Sequence, residues 1–307
     1  MASKNVALAG ATGNIGAAIL KAFLDSKDFT VTVLVRSDSV AKATLPENIN
    51  MREVDYSKPT TLVNALKGQD AVVSALNHSY LDQQRALLDA AVSAGVERFI
   101  PSEYGSDTLN PNSASLPVFA HKKSAQKYLE ELEAQDKISY TIIINGPFLD
   151  FGLNHGFLGL DLRKKQVTYI DGGITMFSTT TLATVGKAVL GVLKHPQDTK
   201  NRAVYVQDAA LTMKDLFRLG KQALGAEGWT EIDGGKTEEI EQKSYEMLGS
   251  GQKNMGVFLG FLTSAIFREG YGGHFQKPDN DLLGIEELKE SNIVDLIKGI
   301  AATQAHE

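Results

Sequence analysis

Residues 5–16 read NVALAGATGNIG, an apolar run followed at once by Gly10, Gly13 and Gly16. Val6 to Ala9 has the length and continuity of a strand covered on both faces. The glycines then lead into a helical pattern over 15–25, so the segment opens a strand–turn–helix unit. Glycine permits the tight turn and, lacking Cβ, lets backbone N–H groups approach a pyrophosphate at the helix N-terminus. With 28 glycines in 307 residues, such a spacing arises by composition alone about 0.2 times per chain. Its place directly after an amino-terminal strand is therefore what carries the reading. Thr12, Asn14 and Ile15 lie between and after the glycines and are candidate cofactor contacts with them.

Working outward, β-branched runs at 30–35, 49–54, 71–75, 98–101 and 140–144 alternate with helical patterns at 60–67, 81–94 and 122–133. Leu81, Gln84, Leu87, Leu88 and Ala91 recur at helical spacing, and Gly95 follows as a stop. This alternation predicts an α/β fold, a Rossmann-type doubly wound parallel sheet with its ligand crevice at the carboxyl ends of the strands. After Phe148 the rhythm loosens: a strand at 167–170, a turn at 171–173, a helix at 182–193 and a strand at 203–206. Residues 1–150 are assigned to a cofactor domain and 151–307 mainly to a smaller α/β substrate domain, with 176–207 returning to the main sheet. Neither a repeat nor a linker separates the two.

Composition narrows the function. Thirty-one Lys+Arg against 37 Asp+Glu give a net charge of −6, which offers no general attraction to nucleic acid or an anionic membrane. There is no cysteine, which excludes disulfides, thiolate zinc sites and cysteine nucleophiles. The six histidines lack metal-ligand spacing, so no metal is expected. Residues 5–20 make a poor secretory core, and the uncharged stretch 254–267 is shorter than the ~18 residues of a membrane span. A cytoplasmic protein is expected.

Cofactor choice turns on the end of the second strand. Arg36 lies twenty residues beyond Gly16 and closes the run Val33-Leu34-Val35. An arginine there accommodates the 2′-phosphate of NADP, whereas an acid would bind the ribose hydroxyls of NAD. Ser37 adds a hydroxyl and Lys42 a charge, while Asp38, two residues past the strand, is the competing signal. Ala75, Leu76 and Asn77 follow the fourth strand and border the crevice. The Tyr-x-x-x-Lys pair of many short-chain dehydrogenases is missing, because Tyr104, Tyr128 and Tyr140 are followed four residues on by Thr108, Leu132 and Ile144.

Residues 6–16, Pro101-Ser102-Glu103-Tyr104-Gly105, Lys122-Lys123 and Asn145 to Phe148 together resemble the isoflavone-reductase-like branch of the NmrA-like atypical short-chain dehydrogenases, and the fungal members above all. The resemblance covers most of the chain and implies an NADPH-dependent reductase of a small aromatic or polyketide-like metabolite. Plant relatives reduce isoflavones, phenylcoumaran benzylic ethers and pinoresinol-type lignans, with a helix lysine as acid/base. Lys123, with Lys127 four residues on and Ile138-Ser139-Tyr140-Thr141 after an acidic helix, fits that lysine as both catalytic and cofactor-contacting residue; its neighbour Lys122 stays open. The Gly-Pro of Asn145-Gly146-Pro147-Phe148 departs from the plant pattern, so the loop over the nicotinamide differs there. Asn145 and Phe148 are assigned to the nicotinamide, although an aromatic in that place also serves a core. Asp55 resembles the family's adenine-side position, and Gln83 or Gln84 its helix glutamine. His121 and His155 are candidate extra acids, and Phe258, Phe261 and Phe267 either wall an aromatic-substrate pocket or belong to the core. The resemblance also admits a dinucleotide-binding redox sensor without turnover, or an isomerase or dehydratase. The expected partner is a small, aromatic substrate, and the chain is expected to be a monomer or homodimer.

Overall fold

A computed structural model describes residues 4–37, 39, 45–77 and 81–305. The first half runs β1 (Asn5–Ala9), α1 (Asn14–Ser26), β2 (Thr30–Arg36), β3 (Asn50–Val54), α2 (Pro59–Leu66), β4 (Ala71–Ser74), α3 (Leu81–Ser93), β5 (Arg98–Ile100), α4 (Pro111–Ala114), α5 (Ala120–Glu133) and β6 (Ser139–Ile144). The second half runs α6 (Leu149–His155), β7 (Leu160–Asp161), β8 (Gln166–Tyr169), β9 (Phe177–Thr179), α7 (Leu182–Lys194), β10 (Arg202–Tyr205), β11 (Ala209–Leu211), α8 (Met213–Leu224) and β12 (Thr230–Asp233). It ends with α9 (Thr237–Gly249), α10 (Met255–Phe267), α11 (Asn280–Leu283) and α12 (Glu290–Gln304).

Seven strands form one sheet in the order β10-β6-β5-β4-β1-β2-β3. All its pairings are parallel, with Val6 opposite Val31 on one side and Ala71 on the other. The sequence explains the layering. Successive side chains of β1 point to opposite faces, so Val6 and Leu8 enter one core with Ile19, Phe23 and Val189, while Ala7 and Ala9 enter the other with Leu62, Leu87 and Leu129. One face is thus covered by α1 and α7, the other by α2, α3 and α5. The helix α7 is capped by Thr181, whose hydroxyl accepts from the Thr184 N–H at 3.3 Å. It crosses α1 closely at Gly186, where a Cβ would stand 2.7 Å from the Ala18 carbonyl oxygen. The doubly wound sheet is as the alternation predicts, and β10 brings the chain back as its seventh strand.

Outside that sheet, β12-β8-β7 and β11-β9 form two small sheets. They pack with α6, α8 and α12 around Leu153, Phe177, Leu216 and Ile297. Burying a side chain the size of Phe177 stabilises by about 2–3 kcal/mol. Phe267 meets Phe177 edge-on at 5.0 Å and Phe261 meets Tyr245 at 4.8 Å. Both α10 aromatics are buried and serve as core; Phe258 is half-buried. These short strands follow no long alternation in the sequence, which is why only β8 stands out there.

Candidate active site

The sheet order reverses beside β1, which lies between β2 and β4, so the turn after β1 opens into the crevice where such folds bind ligands. Gly10 takes φ +82°, and a Cβ on it would lie 2.4 Å from the Ala75 carbonyl oxygen. A Cβ on Gly16 would lie 2.0 Å from the Gly10 carbonyl oxygen. Packing therefore requires both glycines. Gly13 differs: its Cβ would meet only the Gly10 oxygen, at an ordinary 3.5 Å. It is the helix N-cap, with no side-chain cap and no acid in the first turn of α1. An open glycine at an uncapped helix N-terminus suits the close approach of an anionic group. Thr12 and Asn14 are exposed on this turn, and Ile15 packs back against the core.

A cleft of about 430 Å³ runs from this turn along the ends of β2 and β4, lined among others by Gly10, Thr12, Gly13, Arg36, Ala75, Leu76 and Asn77. Arg36 ends β2 half-buried at one margin, and Ser37 is exposed beyond it. Tyr56, which no local pattern marks, lines the same margin. Burial pushes its phenol up to about 12, against the opposing pull of the Arg36 charge. Gln83 also lines the cleft, whereas Gln84 is structural: its Oε1 accepts from the Ser102 N–H at 2.7 Å. Asp38 and Lys42 lie outside the described residues. Asp55 is engaged locally, accepting from Ser57 N–H at 2.9 Å and Oγ at 2.6 Å and pairing with Lys58 at 3.1 Å. These contacts hold its carboxyl at about 2.

From the cleft floor a hydrogen-bonded path leads to the lysines. The Ser102 hydroxyl donates to the Leu76 carbonyl at 2.6 Å, tying the end of β4 to the loop after β5. The next residue, Glu103, accepts the Lys122 ammonium on its backbone oxygen. Beside it, the Gly105 carbonyl accepts from Asn145 N–H at 3.2 Å and Gly146 N–H at 2.9 Å, joining β5 to the end of β6. Lys122 thus stands at the carboxyl ends of the central strands. Desolvation lowers its pKa, and the Glu103 charge opposes that shift. Lys123, one residue on, is exposed on the outer face of α5. Of the two, Lys122 is the one turned toward the sheet: consecutive helical residues point about 100° apart, and sequence spacing alone could not say which does.

Two orphaned buried atoms mark the same end of the sheet, Ser74 Oγ and Asn145 Oδ1. With the glycine cradle and Arg36, they fit a dinucleotide: the α1 N-terminus would hold its phosphates, and Asn145 would offer a buried acceptor to a polar group of it. Phe148 is half-buried against the main core and pairs by a bridge with Thr180. Of the histidines, His155 is exposed and stacks on Phe151 at 4.1 Å between centroids. His121 is exposed and lines a cavity of about 130 Å³ between α3 and α5. No group of three acids or histidines that could hold a metal occurs among the described residues, nor does any helix there suffice to cross a membrane.

Residues 2–228 match the model of the NmrA-like family. The chain belongs to the NmrA-like family. This NmrA-like protein is 33% identical over 299 residues to the oxidoreductase aprR of Aspergillus flavus, covering 96% of this chain and 98% of that one. It is 27% identical over 252 residues to the isoflavone reductase of Pisum sativum, covering 73% and 77% of the two chains. Its fold matches the leucoanthocyanidin reductase of Vitis vinifera solved with NADPH, with a TM-score of 0.78 at 19% identity over 95% of this chain and 99% of that one. It also matches a protein solved with NADP+ and (+)-pinoresinol, with a TM-score of 0.77 at 21% identity over 97% and 99%.

Proposed function

We propose that this NmrA-like chain is an NADPH-dependent reductase of a small apolar, aromatic or polyketide-like metabolite, with Lys122 as its proton donor. The observation that carries the reading is the continuous path from the glycine cradle through Leu76 and Ser102 to an inward-facing lysine. Bound there, the dinucleotide supplies a hydride from C4 of its nicotinamide. The chain's own residues do the rest. The α1 N-terminus and Gly13 hold the pyrophosphate, and Arg36 with Ser37 holds the 2′-phosphate. Lys122 holds a proton at Nζ and delivers it to the substrate atom on which negative charge develops. Ile174 and Met176 are 66% and 41% exposed in the segment leading into β9. The Ser178 carbonyl of that strand abuts Gly146, so this apolar surface flanks the end of β6 and suits an apolar substrate.

The names of the relatives support the class of reaction and leave the substrate to experiment. Incubation of the purified chain with NADPH and a panel of enones, isoflavones and benzylic ethers, followed by loss of nicotinamide absorbance, tests the proposal. Consumption dependent on one substrate class is expected. Tight NADPH binding with no consumption across the panel would overturn it in favour of dinucleotide sensing.

A further inference from the structure

Glu103 contributes two separate groups to the lysine site. Its backbone carbonyl takes the Lys122 ammonium, and its side chain reaches the same helix one turn on. There the Gln126 amide donates to Glu103 Oε2 at 2.9 Å and to Thr108 Oγ1 at 2.6 Å, while the Thr108 hydroxyl donates to Oε2 at 3.1 Å. Lys122 and Gln126 are four residues apart, so one residue grips successive turns of α5 on its inner face. That grip sets the height and rotation of the helix over the carboxyl end of β5. Glu103 is 1% exposed, and the second oxygen of its carboxyl, Oε1, is buried with no hydrogen-bond partner among the described residues. A packing residue does not need a carboxyl there. A glutamine would offer the same shape and one more donor, and an ionisable group left half-satisfied in a core costs stability.

We propose that Glu103 is the positioning residue for Lys122: its carbonyl fixes where the ammonium sits, and its carboxylate, held by the next turn of the same helix, supplies the counter-charge beside it. The inference rests on the reading of Lys122 as proton donor. Burial raises the pKa of Glu103, and the charges of Lys122 and Lys123 on α5, with the hydrogen bonds from Gln126 and Thr108, pull against that shift and favour the carboxylate. The charge acting on Lys122 is that of Glu103. A neighbouring negative charge favours the ammonium, which desolvation disfavours, and at the half-buried Lys122 solvent screens that charge only in part. Proton delivery then leaves a neutral amine beside a carboxylate, a state that takes up a proton again from water once the product leaves.

Competitive acetylation with acetic anhydride across a pH series, read at the Lys122 peptide by mass spectrometry, tests this on the full chain without cofactor or substrate. In Glu103→Gln the midpoint of Lys122 labelling is expected to fall by about one pH unit or more, which makes the amine about tenfold more reactive at pH values below both midpoints. Loosened packing alone would change the labelling rate at every pH and leave the midpoint in place; that outcome overturns the proposal. Should Glu103→Gln fail to fold, Gln126→Leu decides. It removes a donor that favours the carboxylate, so the midpoint is expected to move in the same direction, and an unmoved midpoint overturns the proposal equally. Because no turnover is read, failure here leaves the reductase reading standing, and failure of that reading leaves the labelling result intact.

Discussion

At the turn after β1 the chain builds its half of the crevice from backbone alone, whereas at α5 it builds the other half from buried, charged side chains. A Cβ on Gly10 or Gly16 would lie 2.4 or 2.0 Å from a backbone oxygen, so the turn admits no side chain at either place and its chemistry is a set of N–H groups. The lysine end depends on a carboxyl, an amide, a hydroxyl and an ammonium brought together by two segments of chain, the loop after β5 and α5. A backbone site tolerates no bulk and is indifferent to pH. A side-chain site tolerates shape-conserving changes and is governed by charge.

The sharpest way to break this comparison is at the lysines. Lys122→Met keeps the length of the side chain and removes the proton, so the turnover rate with the best substrate of the panel should fall by about 10²–10⁴-fold with NADPH affinity little changed. Lys123→Met, on the exposed face, should stay within about twofold. Equal losses in the two variants would mean that α5 presents another face to the substrate. At the other end, Gly10→Ala should cost about 2–4 kcal/mol of folding stability in urea titration, because φ +82° and the Ala75 carbonyl both oppose it. Gly13→Ala should leave the urea midpoint nearly unchanged while weakening NADPH binding, since its Cβ meets nothing tighter than the Gly10 oxygen at an ordinary 3.5 Å. If Gly13→Ala lost stability instead, the glycine would be serving the fold and not a ligand.

Arg36 gives a smaller, more selective effect. Arg36→Ala should weaken NADPH binding about 10–100-fold, the loss of one or two charge-assisted hydrogen bonds, while NADH binding changes little. Fluorescence titration with both nucleotides reads the difference directly. Equal weakening of the two would place the arginine against a group they share and not against the 2′-phosphate.

The same contrast explains what could be read in advance. The doubly wound parallel sheet and the glycine turn follow from local signals, namely apolar runs, their period and a residue with no Cβ. Arg36 could be placed because it sits a fixed distance along a strand. Lys122 and Lys123 could not be separated, because both satisfy the same spacing and only the docking of α5 decides which points inward. Glu103 was visible as part of Pro101-Ser102-Glu103-Tyr104-Gly105, but nothing local says that its side chain turns away from water to meet Gln126, 23 residues on. Tyr56 lacked any signal, since it reaches the cleft through the course of the loop after β3. Asp55, next to it, carried one that proved to have a local use.

Asp55 supplies the weakest test and completes the contrast with Glu103. Both are acids just beyond the ends of parallel strands, yet one is partly exposed with three donors around it and the other is buried with one oxygen unpaired. Their pKa values move in opposite directions for that reason: Asp55 falls from 3.8 to about 2, while burial raises Glu103. A carboxyl whose folded pKa is depressed adds stability that is present above its unfolded value and is lost as pH falls through the folded one. Asp55 therefore contributes acid sensitivity between roughly pH 4 and pH 2. Asp55→Asn should lower the thermal midpoint slightly near neutrality, and it should flatten the decline of that midpoint over this window. Solvent screening of so exposed a group keeps the effect small. An unaltered acid decline in Asp55→Asn would show that the turn with Ser57 and Lys58 holds without the charge, and that the distinction between a solvated and a buried acid at this sheet edge matters only for Glu103.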